Sequence, residues 1–189
     1  MQYSVLDITE GERHTNKIHK NNILYKIEIG KNVSSLYGVC ECCSLVTITI
    51  PEGVRSGGSF KDCYSLIAVI FPKTFSEGGW FGWEAPFYNC FSLQTVSLTR
   101  GILVGDSAFY GCHSLARVVL SKYQEDISLY AFYDCYCLSE IKNLPYSSDI
   151  GSFAFSGCRS LLRFNFILPG APGASGYIGS SAFSSCYNM

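Results

Sequence analysis

From residue 24 onward, apolar positions fall in triplets separated by polar residues. The first is Leu24, Ile27 and Ile29. Then come Leu45, Ile48, Ile50; Leu66, Val69, Phe71; Leu93, Val96, Leu98; Leu115, Val118, Leu120; and Leu161, Phe164, Phe166. Alternation of this kind marks a strand with one face buried, so each triplet predicts one short strand and its inward side chains. The residues between them make two outward columns. One runs Lys26, Thr47, Ala68, Thr95, Arg117, Glu140, Arg163; the other runs Glu28, Thr49, Ile70, Ser97, Val119, Lys142, Asn165. In the unit after Cys135 the third inward place falls on Asn143, and Leu144 is expected to fill it through a bulge.

Between the strands the same words recur. Cys42, Cys63, Cys90, Cys112, Cys135, Cys158 and Cys186 follow one another at intervals of 21, 27, 22, 23, 23 and 28 residues. Each sits in a phrase such as FKDCYSLIAVIFP from Phe60, FYGCHSLARVVL from Phe109 or FSGCRSLLRFNF from Phe155, and a last copy, FSSCYNM, begins at Phe183. A second word precedes the later copies: VGDSAF at 104–109, ISLYAF at 127–132, IGSFAF at 150–155 and IGSSAF at 178–183. A repeat of 20 to 30 residues means stacked coils, each too small to bury its own apolar face. Strands that occur once per coil must be parallel neighbours, so the outward columns share one side. The Ala-Phe-x-x-Cys segment is too short for a full helix and reads as one helical turn with Phe and Cys pointing inward.

Composition narrows the function classes. The chain has 189 residues, 48% of them hydrophobic and only 15% charged, enough apolar surface for a sizeable core. Its net charge of −1 argues against a phosphate-tracking nucleic-acid binder or a polybasic membrane anchor. No apolar run reaches the length of a membrane helix, and residues 1–22 contain no leader-like apolar stretch. The column of seven inward cysteines is expected to consist of free buried thiols rather than disulfides, since side chains stacked in parallel hold their Cβ atoms too far apart. With the missing leader, this favours a reducing, cytoplasmic compartment.

The phrase Phe-x-x-Cys-x-Ser-Leu with its flanking Ile-Gly-x-x-Ala-Phe resembles the BspA-like leucine-rich repeats, whose units read roughly I-G-x-x-A-F-x-x-C-x-S-L-x-x-V-x-L-P. The resemblance covers residues 39–189, more weakly 22–38, and is best at 104–120, 150–166 and 178–189. It implies a leucine-rich-repeat solenoid, a right-handed superhelix of short coils with a parallel β-sheet on one face and short helical turns and loops on the other. On this reading residues 1–21 are an N-terminal cap or extension. Residues 22–189 form about seven coils, the C-terminal one incomplete where the sequence stops at Met189. The resemblance also implies adhesion or protein–protein binding, and for many members a place at the microbial cell surface.

Catalytic and metal chemistry find little support. The serines Ser44, Ser65, Ser92, Ser114 and Ser160 share one repeat position and are expected to bond backbone at the strand start. No nucleophile elbow, phosphate loop, zinc-protease motif or dinucleotide fingerprint occurs. Cys40, Cys42 and Cys43 form a cluster, but no second Cys/His pair completes a structural zinc site, and His14, His19 and His113 are the only histidines. The chain is therefore expected to be non-enzymatic, without cofactor or metal. The sequon Asn32-Val33-Ser34 permits glycosylation only in a secreted chain.

What remains points to binding. Arg117, Glu140, Arg163, Val119, Lys142 and Asn165 are candidate contacts on the sheet face. Tyr110, His113, Tyr133 and Tyr136 flank the repeat cysteines as an aromatic edge of the type used at interaction hot spots, unless their rings simply pack on one another. The insertion FSEGGWFGWEAP carries Trp80 and Trp83, which either fold back over the stack or meet a partner. The expected function is a protein–protein interaction module using the sheet face and aromatic edge. Two alternatives are a structural component stacking through its C-terminal coil and a carbohydrate-binding or host-binding surface adhesin.

Overall fold

A computed structural model of the chain describes residues 4–8, 14–15, 18–54, 56–72, 80–81, 85–98, 104–121, 124–144, 149–162 and 176–188, with the backbone alone in 4–8, 14–15, 37, 56 and 80–81. Among these residues two parallel ladders run along a solenoid. The first joins β1 (Ser4–Ile8), β4 (Leu24–Ile29), β6 (Thr47–Thr49), β8 (Ala68–Ile70), β10 (Thr95–Ser97), β11 (Arg117–Val119) and β12 (Glu140–Lys142) in that spatial order. The second joins β2 (His14–Thr15), β5 (Ser35–Cys40), β7 (Ser56–Ser59) and β9 (Trp80–Phe81), with β3 (Ile18–His19) also on β5. Beyond β9, the described residues form single parallel bridges between Ile127 and Ile150 and between Ile150 and Ile178, at the corresponding place in the repeat. The N-terminal segment takes the first place in both ladders: β1 pairs with β4, and β2 and β3 pair with β5.

Register follows the repeat. Thr47 pairs with Lys26 and Ala68, Thr95 with Ala68 and Arg117, and Arg117 with Glu140. The inward residues Leu45, Ile48, Ile50, Leu66, Leu93, Leu115, Val118 and Leu120 are all buried, whereas Thr47, Thr49, Thr95 and Arg117 are exposed. At Asn143 the backbone turns through φ 61°. That inversion brings Leu144 against the core, and Asn143 Nδ2 donates to the Leu120 carbonyl at 3.1 Å.

The Ala-Phe-x-x-Cys segment differs from the expected helical turn. It forms a run of overlapping β-turns, because two positions per coil are left-handed: Ser107, Tyr130, Phe153 and Ser181 two before each Phe, and Asp62, Asn89, Gly111, Asp134 and Gly157 just before each Cys. A helix needs uninterrupted right-handed residues, and a left-handed one every fourth position forbids it. The bonding alternates accordingly. Ala108, Tyr110 and Cys112 donate to carbonyls three residues back, at 3.1–3.2 Å. The intervening Ser107, Phe109 and Gly111 donate to Leu129, Ala131 and Tyr133 of the next coil, at 2.8–2.9 Å. Every second amide of the turn thus stitches one coil to its successor.

Inside, Phe60, Phe87, Phe109, Phe132, Phe155 and Phe183 stack in one column, with neighbouring centroids 5.1–5.6 Å apart and planes within 13° of parallel. The coils also approach closely where the Ile-Gly word recurs. A Cβ on Gly151 would lie 2.6 Å from the Leu129 nitrogen, so only glycine fits there.

Stability is expected to depend on column rather than residue type. Phe132→Ala or Leu115→Ala should cost about 2–5 kcal/mol through lost burial and a residual cavity. Arg117→Ala and Thr95→Ala should stay within about 0.5 kcal/mol. Denaturant titration separates the two classes, and equal losses at both would contradict the assignment of inward and outward columns.

Candidate functional site

The outward columns of the first ladder make a flat field bounded by paired charges. At one side Lys26 Nζ lies 2.6 Å from Glu28 Oε1. At the other, the Arg117 guanidinium bonds Glu140, and Lys142 Nζ lies 3.3 Å from the other Glu140 oxygen. The hydrogen bond from Arg117 holds the Glu140 carboxyl below its ordinary pKa, with Lys142 adding to the effect. These exposed pairs contribute little stability. Their consequence is electrostatic: the three charges of the C-terminal side are spent largely on one another.

Between the charged borders the field is neutral. Thr47, Thr49, Thr95 and Ser97 stand beside Ile70, which is 55% exposed. A further outward row lies at the strand start, four residues after each Cys. Tyr25, Val46 and Ile67, each 37–38% exposed, are followed by Gln94, Ala116 and Ser139. Successive amides of this row donate to the carbonyl of the residue before: Val46 to Tyr25, Ile67 to Val46, Gln94 to Ile67 and Ala116 to Gln94. The period-two reading of the strands stopped short of this row. Its signal was present in the repeat phrase, where the place after Ser-Leu holds Val46 and Ile67 in two successive units.

The candidate aromatic edge resolves into separate stacks. Tyr88, Tyr110 and Tyr133 form one, with centroids 4.7 and 4.8 Å apart and planes 8–9° from parallel. Lys61 Nζ sits 4.8 Å over the Tyr88 ring. Tyr64, Phe91, His113 and Tyr136 form another at 4.6–4.9 Å and 3–10°. The Arg159 guanidinium lies 4.5 Å over Tyr136. Tyr130 stacks on Phe153 at 5.1 Å and meets Tyr110 and Tyr133 edge-on. Tyr110 and His113 thus belong to different stacks, as do Tyr133 and Tyr136. Both ring faces are covered at Tyr110, Phe91, His113 and Tyr136, while Tyr133 is stacked on one face and met edge-on by Tyr130. Desolvation raises the phenol pKa of Tyr64, Tyr110 and Tyr136, with Asp62 adding at Tyr64 and Asp134 at Tyr136.

Of the other candidates, Arg163, Asn165 and Trp83 lie outside the described residues. Trp80 lies in β9, where it pairs with Ser56.

The cysteine column is built for packing. The ten cysteines are unpaired. Cys90, Cys112, Cys135, Cys158 and Cys186 each donate Sγ–H to the carbonyl of the stacked Phe one coil earlier, at 3.0–3.2 Å. Cys63 makes the equivalent bond to Val39 at 3.0 Å. Desolvation pushes the Cys63 thiol up to about 12 and raises Cys90, Cys112, Cys135 and Cys158 well above the ordinary thiol range. Among the described residues no three His, Cys, Asp or Glu side chains are grouped to hold a metal ion.

The repeat profile described as the BspA type leucine rich repeat region matches residues 15–102 and 83–189, in six copies. The chain belongs to the BspA-type leucine-rich repeat family. The crystal structure of a leucine-rich repeat protein of T. pallidum superposes with a TM-score of 0.69 at 24% identity, over 87% of this chain and 79% of that one. A leucine-rich repeat protein from Bacteroides ovatus gives 0.56 at 21%, over 90% of this chain and 55% of its own. One from Eubacterium ventriosum gives 0.60 at 19%, over 98% and 59%. The chain therefore spans little more than half of the latter two, and at these identities the likeness is one of fold. No curated protein sequence matches the chain.

Burial of the thiols sets an alkaline limit. Their pKa is higher in the folded than in the unfolded chain, so the folded state keeps protons that the unfolded state sheds above about pH 9. The thiols' contribution to stability is expected to be constant below that pH and to fall as pH rises toward the folded values, by about 1.4 kcal/mol per pH unit for each titrating thiol. Cys112→Ala should flatten the slope by one thiol's worth in denaturant titrations across pH 7–11. An unchanged slope would mean Cys112 titrates freely in the fold.

Proposed function

We propose that this BspA-type solenoid is a non-catalytic protein-binding module whose ligand surface is the outward face of the first ladder. One observation carries the reading: exposed Tyr25, Val46, Ile67 and Ile70 stand among Thr and Ser side chains on a field whose borders are already charge-paired. Isolated apolar residues are ordinary on a surface, but aliphatic groups in adjacent rows of one rigid ladder form a patch. A solenoid keeps its packing in the inward columns, so the outward ones vary without disturbing the fold. The partner suited to this field is a protein surface with neutral apolar anchors and hydroxyl or amide groups, the charged pairs forming the rim.

The aromatic stacks support this face over a sugar-stacking role. Stacking on sugars needs exposed ring faces, and both faces of Tyr110, His113 and Tyr136 are taken by their neighbours, while Tyr133 has one face taken by Tyr110. The contribution of the first three to a ligand would be limited to edges and polar tips.

The test begins with a partner isolated by pull-down and identified. Ile67→Glu and Ile70→Glu are expected to weaken its binding at least about tenfold, the loss of one anchor of about 1.4 kcal/mol, with the melting temperature nearly unchanged. Arg117→Glu should weaken it less, as a rim change does. Normal binding by both isoleucine variants, with loss in a Tyr110→Ala, Tyr133→Ala double variant that stays folded, would move the ligand surface to the aromatic stacks.

A further inference from the structure

The stack of Tyr88, Tyr110 and Tyr133 has a chemistry that neither packing nor binding calls on. Its three phenols come from successive coils, face to face at 4.7 and 4.8 Å with planes 8–9° from parallel, and all are half-buried, with access to solvent. Two phenoxyl radicals couple through the ring carbons ortho to oxygen. Near-parallel rings with centroids under 5 Å apart hold two phenols as neighbours, so that rotation of the side chains suffices to bring such carbons into bonding range. The backbone is itself held coil to coil here, since Asn89 and Gly111, next to two of the tyrosines, donate to Tyr110 and Tyr133 at 2.8 Å. We propose that Tyr110 is an oxidative cross-linking site that couples to Tyr88 or Tyr133 and staples consecutive coils by dityrosine.

The reaction balances with hydrogen peroxide as oxidant, acting through a haem peroxidase. Each phenol loses its O–H hydrogen as a proton and an electron. The two radicals form one carbon–carbon bond, and each ortho hydrogen then moves to its oxygen, restoring both aromatic rings. Two hydrogens leave the protein and reduce one peroxide to two waters.

The neighbouring stack provides an internal control. There Phe91 and His113 separate Tyr64 from Tyr136, so no two phenols are adjacent. Tyr177 and Tyr187, 64% and 74% exposed, are the most open tyrosines among the described residues and the natural sites for coupling between molecules. Geometry, not exposure alone, therefore selects the intramolecular product.

The experiment treats dilute folded protein with peroxide and horseradish peroxidase, then reduces it, so that any disulfide reverts and dityrosine persists. Trypsin separates the coils, because Tyr88 is the single tyrosine of fragment 74–100 and Tyr110 that of 101–117. Tyr133 shares 123–142 with Tyr123, Tyr130 and Tyr136, so fragment-ion sequencing of that cross-linked peptide places the link. A link at Tyr130 instead of Tyr133 counts against the stack. The expected product is a monomer lacking two hydrogens, with fragment 101–117 joined to 74–100 or to 123–142 and a raised melting temperature. Tyr110→Phe, which keeps the ring and the stack, should bring both cross-links to background. Tyr88→Phe should remove only the first, which covers the case in which Tyr110→Phe fails to fold. Coupling confined to dimers through Tyr177 or Tyr187, or undiminished in Tyr110→Phe, overturns the proposal.

Discussion

One buried carbonyl per coil governs this structure. The Phe109 carbonyl accepts from Cys112 N of its own turn at 3.1 Å and from Cys135 Sγ of the next coil at 3.2 Å, and Phe60, Phe87, Phe132 and Phe155 repeat the arrangement. A carbonyl has two lone pairs, and an unsatisfied buried one costs on the order of a hydrogen bond. The turn supplies the first donor within the coil. The second must come from a neighbour, reach through an apolar space and cost little to bury. A thiol meets all three demands, being small, largely apolar and a weak donor. A hydroxyl is shorter and more expensive to desolvate. The cysteine period is therefore a hydrogen-bonding period. It also explains why these thiols are poor candidates for redox or metal chemistry: each is committed to a carbonyl and held protonated by burial.

The same constraint reaches the backbone. For Cys to point inward at the corner, the residue before it takes a left-handed conformation, and those places hold Glu41, Asp62, Asn89, Gly111, Asp134, Gly157 and Ser185. Glycine, asparagine and aspartate tolerate this best, and they fill five of these seven places. Asn and Gly then cooperate across coils: a Cβ on Gly111 would meet Asn89 Oδ1 at 2.7 Å, and one on Gly157 would meet Asp134 Oδ1 at 2.2 Å. A side chain leans over the gap left by the glycine above it. The other left-handed position accepts even Tyr130 and Phe153, whose rings stack at 5.1 Å. There the aromatic contact offsets a conformation that bulky residues normally avoid.

The strands, their inward faces and their parallel order were legible because a period of two and a repeat of 21 to 28 residues are one-dimensional signals. That Leu144 rather than Asn143 reaches the core was legible for the same reason, although a left-handed bend after β12, not a bulge in the strand, brings it there. Two features were not. The turn was read as helical because Ala-Phe-x-x-Cys has helical spacing, while the deciding information lay in the Asp, Asn and Gly before each Cys. The second ladder was missed because its strands, Ser35–Cys40 and Ser56–Ser59, carry no repeated apolar alternation; they are defined by pairing between coils, which a single unit does not display. The aromatic residues were readable as a column, but whether a ring shows its face or its edge depends on the tilt of each side chain. That is a property of three dimensions alone.

This distinction decides what the surface can offer. Stacking and binding compete for the same ring faces, and with spacings of 4.6–4.9 Å the columns at Tyr110 and His113 have resolved the competition in favour of stacking. Charges show a parallel economy: Arg117 and Lys142 both turn to Glu140. Groups that sequence alone marks as the strongest contacts are thus largely engaged with one another. What the fold leaves unspent is less conspicuous, the side chains of Val46, Ile67 and Ile70, which face solvent because their neighbours in the strand face the core. In a repeat whose interior is fixed by one carbonyl and its two donors, the side chains open to solvent are the ones that packing and pairing leave over.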